Sequence, residues 1–306
     1  MGRGKADTVI VYGHWIEQAQ QFARDLGIKG RWVSVDQLGQ PGYAADAVTW
    51  CLDDYEARFI LFIGLTETRV YDVDGAWTTH MRNPIRWLRD VGIADRCTAI
   101  QFDDEFWSRL SGFGAPQHAA TWPSLRGQSP AACWAERHRI AAALGERVED
   151  LRRIWREYSD APCPPIGVAE SGGVVPPTIP TQEWWGLNIY VGSGYVPTPQ
   201  AVQNIYAQAW AFTSLPIMPL VPTFTERGHR PADLATLGRT YALPFVHGGR
   251  SYPAILDHPQ TWAAGLFCVR HPSEDDIAHG DGIGLTKLPS DYADGVRWLT
   301  AYLRSR

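Results

Sequence analysis

The residues best suited to chemistry in this chain are carboxylates placed where apolar runs stop. Residues 97–107 read CTAIQFDDEFW, an apolar run closed by Asp103, Asp104 and Glu105 and then by two aromatics. Side chains alternate along a strand, so Ile100 and Phe102 share one face while Gln101, Asp103 and Glu105 share the other. Asp104 is then left pointing sideways. Other apolar runs end in the same way. The first ends at His14, the third at Glu67, the fifth at Glu170 in VAESGG, the seventh at Glu226 in PTFTERG, and the eighth at Arg270 and His271. The sixth carries Asn188 and Tyr190 on one face. Carboxylates crowded at one rim raise each other's pKa, a cost expected where the rim has a task. A single acid at a strand end also serves as a helix N-cap or a loop hydrogen-bonder. That plainer role is the expectation for Glu67. A histidine without an evident partner, such as His14, fits a core position as well as a substrate contact.

Two carboxylates facing each other across a cleft are what glycosidic bond cleavage needs. One stays protonated to give a proton to the leaving oxygen, and the other stays ionised to attack the anomeric carbon or activate water. Glu105 is the candidate acid, because Asp103 on the same face raises its pKa. Glu226 is the candidate nucleophile or base, and Tyr190 is placed to hydrogen-bond it. Asn188 and His14 are candidates to hold sugar hydroxyls, with Gln101, Asp104, Glu170, Arg270 and His271 completing the substrate-contacting set.

Such a rim must be built by strands ending together. Eight short apolar runs have strand character, at 8–15, 30–36, 58–67, 97–105, 165–171, 185–192, 217–226 and 262–271. Helix-period segments lie between them, at 15–27, 44–57, 83–92, 135–158, 200–212, 231–245 and 290–305. Strand and helix in repeated alternation imply a parallel sheet with helices outside, and eight units are the count of a (β/α)8 barrel. An open doubly wound sheet often carries a glycine-rich phosphate loop, and neither GxGxxG nor GxxxxGK[ST] occurs. In a barrel the carboxyl ends of the strands build the active site, which is where the acids fall. No linker or repeat divides residues 1–306, so a single catalytic barrel domain is expected. The proline-rich 171–184 leaves little room for a helix between the fifth and sixth strands. Long segments at 108–130 and 247–260 read as decorations of the barrel mouth.

Composition narrows the partners. The chain has 306 residues, 45% of them hydrophobic, and a net charge of −5. That is enough for a large core, and it lacks the basic footprint of a nucleic-acid binder. No run reaches transmembrane length, and the basic N-terminus leads straight into a strand without an apolar leader and cleavage site. The compartment is left undetermined, and so is the oligomeric state. Cys51, Cys97, Cys133, Cys163 and Cys268 are scattered, without CxxC spacing, which predicts buried or half-buried thiols rather than a zinc cage or a disulfide framework. No metal and no cofactor are expected. Among 14 tryptophans, Trp184 and Trp185 read as packing residues. Flat aromatic faces are also what sugar rings stack on.

At the strand-end acids the chain resembles glycoside hydrolase barrels, in two versions. In clan A hydrolases the acid/base glutamate ends strand four and the nucleophile glutamate ends strand seven, and Glu105 and Glu226 match those places. Asp104 stands where clan A usually has Asn, and Arg270 and His271 stand where it has a strand-eight tryptophan. In family 18 chitinases and family 25 lysozymes strand four carries Asp-x-Glu, which Asp103-Asp104-Glu105 fits, and Tyr190 resembles the strand-six tyrosine of family 18. That version implies the substrate's own acetamido group as nucleophile, assisted by Asp103, with Glu226 a bystander. The longer DxxDxDxE motif is absent. The expected activity is therefore that of a glycosidase acting on a poly- or oligosaccharide, with retention the expected outcome. Retention needs carboxyl groups about 5–5.5 Å apart and inversion about 6.5–9.5 Å. Two other classes stay open: a metal-dependent (β/α)8 hydrolase or isomerase using the same carboxylates and histidines, and a non-catalytic glycan-binding or structural barrel.

Overall fold

The computed structural model describes residues 9–12, 25–35, 57–102, 106–118, 120–171, 179, 181–189, 198–222, 224–225, 230–231, 234–267 and 290–305. The helices expected at 15–27 and 44–57 fall almost wholly outside them. The strands are β1 (Val9–Tyr12), β2 (Gly30–Ser34), β3 (Arg58–Ile63), β4 (Cys97–Phe102), β5 (Ile166–Ser171), β6 (Trp184–Asn188), β7 (Ile217–Pro222), β8 (Phe224–Thr225), β9 (Arg230–Pro231), β10 (Phe245–His247), β11 (Arg250–Tyr252) and β12 (Ala264–Phe267). Among the described residues the helices are α1 (Glu67–Val70), α2 (Ala76–Asp90), α3 (Phe106–Leu110), α4 (Pro130–Ala135), α5 (Arg137–Tyr158), α6 (Pro199–Phe212), α7 (Leu234–Tyr241) and α8 (Ser290–Arg304). Each of the eight apolar runs contains a strand, and the fold is α/β with mostly parallel pairing.

The chain divides into two compact units, Val33–Trp185, and Met1–Trp32 with Gly186–Arg306. In Val33–Trp185 the strands β3, β4 and β5 pair in parallel, in that order. Outside them α2 and α5 pack on each other. α2 buries Trp77, Met81, Pro84, Ile85 and Leu88, and α5 buries Ile140, Leu144, Val148, Leu151 and Trp155. Both sets recur every three or four residues, the spacing of one helix face. The face of β4 carrying Phe102 meets this layer, where the Phe102 ring stands edge-on to Trp77 with centroids 5.6 Å apart. Gly167 of β5 has a packing reason of its own. A Cβ there would lie 2.3 Å from the Trp184 ring and 2.6 Å from the Trp184 carbonyl oxygen, so only glycine admits the indole.

In the other unit β2, β1, β12 and β7 pair in parallel. Here Gly265 of β12 yields space to Trp32 and Leu220, whose side-chain atoms would each lie 2.4 Å from a Cβ. Thr198 caps α6, its hydroxyl accepting from the Ala201 N–H, and Pro199 takes the first helical position.

Two strand ends and one connecting segment differ from the expectation. β3 stops at Ile63 rather than at Glu67. Thr66 caps α1 instead, its hydroxyl accepting from the Arg69 N–H, and Glu67 opens that helix. The Glu67 carboxylate accepts from the Ser124 N–H at 2.8 Å, the plain loop-tying role. β7 stops at Pro222, and Phe224–Thr225 pairs antiparallel with β9. The segment 247–260 is not a mouth decoration. It forms the β10–β11 hairpin, turned by Gly248 and Gly249 at positive φ, and then leads into β12. The Gln260 carbonyl accepts from the N–H of Ile217, the first residue of β7, so the segment lies at the amino ends of those strands.

Cys97 and Cys133 are buried, and Cys163 is half-buried with its thiol pushed up to about 12 by burial. Cys51 and Cys268 lie outside the described residues. Among the described residues no helix is long and apolar enough to cross a membrane.

Candidate functional site

Of the residues singled out for chemistry, Gln101, Glu170 and Asn188 are described. His14, Asp103, Asp104, Glu105, Tyr190, Glu226, Arg270 and His271 lie outside the described residues. What the structure defines is how the chain is held on either side of several of them.

Around Asp103–Glu105 both flanks are fixed. Phe102, the last residue of β4, is fully buried and pairs in register with Ile63 on one side and Val168 on the other. On the far side Phe106, also buried, begins α3. Its ring lies 4.9 Å from Trp107, 5.5 Å from Phe113 and 5.4 Å from Trp122, centroid to centroid. Phe113 in turn stacks on Trp122 at 5.2 Å. Gly114 closes this loop, since a Cβ there would lie 2.1 Å from the Gln128 carbonyl oxygen. The expected long loop at 108–130 is therefore a packed aromatic cluster. It is what lets three acids follow an apolar strand: the aromatics on both sides are core residues.

Glu170 is only 2% exposed. Its Oε1 accepts the Trp107 N–H at 2.7 Å. Register decides which face it occupies. Gln101 pairs with Gly167 and Phe102 with Val168. Alternation then puts Glu170 with Val168 and Phe102, on the face of the sheet that meets the helices. Sequence reading groups Glu170 with the rim carboxylates. The geometry instead engages it with the start of α3, because residue type and strand-end position do not fix parity. Gln101, 3% exposed, lies on the opposite face. Trp184 and Trp185 are both buried, as packing residues. The Trp184 indole N–H donates to the Pro165 carbonyl at 3.1 Å.

Asn188 ends β6, and its backbone neighbours are held by two buried tyrosines that sequence reading passed over. Tyr206 of α6 donates its hydroxyl to the Leu187 carbonyl at 3.1 Å. Tyr241 of α7 donates to the Ile189 carbonyl at 3.0 Å. Burial raises the pKa of both phenols above the usual value, which keeps the donating protons in place. A tyrosine on the apolar stripe of a helix was the available signal, since a buried hydroxyl needs a partner.

No protein-family model matches the sequence, and no curated protein matches it. Solved structures do. A GH18 chitinase from Pseudoalteromonas aurantia matches with a TM-score of 0.50 at 9% identity, over 90% of this chain and 97% of its own. Cel5A of Thermotoga maritima, solved with mannotriose, matches with a TM-score of 0.50 at 10% identity, over 95% of this chain and 98% of its own. A β-glucosidase from Thermotoga maritima matches with a TM-score of 0.50 at 11% identity, over 83% of this chain and 76% of its own. These neighbours are TIM-barrel glycoside hydrolases. At such identities the likeness speaks for the fold alone.

Proposed function

We propose that the chain is a single (β/α)8 barrel glycoside hydrolase acting on a poly- or oligosaccharide. The observation that carries the reading is the ending of β4. A buried parallel strand stops at Phe102, the chain is anchored again at Phe106, and the residues between are Asp103, Asp104 and Glu105. In a barrel that is the carboxyl end of strand four, where catalytic groups belong. The likeness in fold to glycoside hydrolases supports the same reading.

Glu105 acts as general acid, its protonated form favoured by Asp103 beside it. Glu226 follows the short β8 and supplies the nucleophile or base, with a retained configuration as the product. In the alternative version, Asp103 steadies a substrate acetamido group that attacks in place of Glu226. Tyr190, Asn188, His14, Gln101, Asp104, Arg270 and His271 contact sugar hydroxyls. The neighbours' names span chitin, glucosides and mannotriose, so the test needs both N-acetylated and plain hexose polymers.

That test is reducing-sugar release from such a panel, with bacterial cell-wall glycans included, by the wild type and by Glu105→Gln, with and without EDTA. The expected result is turnover of one substrate class, a loss of about a hundredfold or more in Glu105→Gln, and no effect of EDTA. Glu226→Gln then separates the versions, being inactive in the first and active in the second. Turnover abolished by EDTA would point to a metal-dependent barrel instead. Glycan binding without turnover would point to a lectin-like or structural one.

A further inference from the structure

We infer that Glu170 is a positioning residue for the acid-bearing segment Asp103–Glu105, an inference that rests on the glycosidase reading above. Two points on β5 hold the chain on either side of that segment. Val168 pairs with Phe102, the residue before Asp103. Glu170, two residues further on, accepts from the N–H of Trp107, two residues after Glu105, at 2.7 Å. Those points lie about 6.6 Å apart along one strand. The chain that leaves β4 at Phe102 is thus returned to the same neighbouring strand five residues later.

The link is built into the core. Glu170 and Trp107 are both nearly fully buried, and Phe106 between Glu105 and Trp107 is locked in the aromatic cluster with Phe113 and Trp122. A buried carboxyl group is costly to keep without polar partners, and an aliphatic side chain on this face would pack beside Val168 without that cost. The backbone N–H of Trp107 stands at the start of α3, where the first amides have no partner inside the helix. Accepting from it fixes the register at which α3 begins, at a set spacing of two residues along the sequence from Glu105. Catalysis by a positioned acid is sensitive to such spacing, since a displacement of about 1 Å can cost a hundredfold.

The test uses the full chain with Glu170→Ala and Glu170→Gln, read two ways. Amide hydrogen exchange at Trp107 reports the link itself. Steady-state kinetics on the substrate found for the wild type reports its consequence. Glu170→Ala is expected to speed Trp107 exchange by about tenfold or more and to lower kcat by about 10- to 100-fold, with KM changed by less than about threefold. Glu170→Gln keeps an amide oxygen as acceptor and is expected to restore Trp107 protection and to recover at least about tenfold of the kcat loss. A merely structural carboxyl group would lower the folded fraction without this split, and denaturant titration of each variant measures that fraction. Unchanged Trp107 exchange in Glu170→Ala overturns the inference. So does unchanged kcat in Glu170→Ala while Glu105→Gln is inactive. If Glu105→Gln is as active as the wild type, or the wild type turns over no glycan, the glycosidase reading fails first and this inference with it.

Discussion

The ends of β4 and β6 are held in opposite ways. Beyond β4 a buried carboxyl group, that of Glu170, accepts from a backbone N–H of α3. At the end of β6 two buried phenols, of Tyr206 and Tyr241, donate to the carbonyls on either side of Asn188. The first fixing is made by a group that carries charge when ionised, the second by groups that stay neutral. They differ in what a change can do. Removing a phenol hydroxyl leaves one carbonyl short of a donor, whereas removing the carboxyl group frees the start of a helix. Loss of the Glu170 carboxyl group should therefore release more backbone than loss of either phenol hydroxyl.

The largest disturbance is expected at Gly167, three residues before Glu170. Its absent Cβ is replaced by the Trp184 ring and backbone. Gly167→Ala should cost about 3 kcal/mol, since a backbone carbonyl cannot move aside as a side-chain tip can. Gly265→Ala in the other unit meets the side chains of Leu220 and Trp32 first, and should cost about 1–2 kcal/mol. Guanidinium unfolding of the two variants measures the order, and equal losses would break the contrast.

Next comes the phenol pair. Tyr241→Phe and Tyr206→Phe should each cost about 1–2 kcal/mol through an unsatisfied buried carbonyl. They should also change the alkaline limb. Both phenols have folded pKa values raised above the ordinary 10.0, through desolvation first. The unfolded chain ionises near pH 10 while the folded one does not, so their contribution is intact below pH 10 and is lost as pH rises above it. The phenylalanine variants should lose less stability than the wild type between pH 9 and pH 11. A parallel decline would show that these tyrosines do not set the alkaline limit.

The smallest effect is on the acid side. His258 stacks on Trp210 with centroids 3.7 Å apart. Desolvation and then Arg250 lower its pKa from 6.5 to about 4. The unfolded ring takes up a proton below pH 6.5 and the folded ring only near pH 4. Stability should therefore be level above pH 6.5 and fall between 6.5 and 4, by about 1 kcal/mol once solvent screening of a half-buried ring is allowed for. His258→Gln should remove that part of the slope, as urea midpoints at pH 7 and pH 4.5 would reveal.

The alternation of apolar runs and amphipathic stripes was legible in the sequence. Burial on both faces of parallel strands writes long apolar runs, and packing one helix face writes a repeat of three to four residues. That is why β4, β5, α5 and α6 fall within a few residues of where the sequence puts them. The abrupt acids after Phe102 were legible too, because charge beside a buried strand contradicts its surroundings. Parity was not legible. The sequence cannot say which face of β5 meets the helices, since Ile166, Val168 and Glu170 alternate with Gly167 and Ala169 and either set could face inward. Only the register of Phe102 with Val168 assigns Glu170 to the helix side and to the Trp107 amide. The roles of Tyr206 and Tyr241, and of Gly167 beneath Trp184, were decided in the same way. Each joins residues 17 to 63 positions apart or crosses from one element to another, and no local pattern records a contact that only the packed chain brings into being.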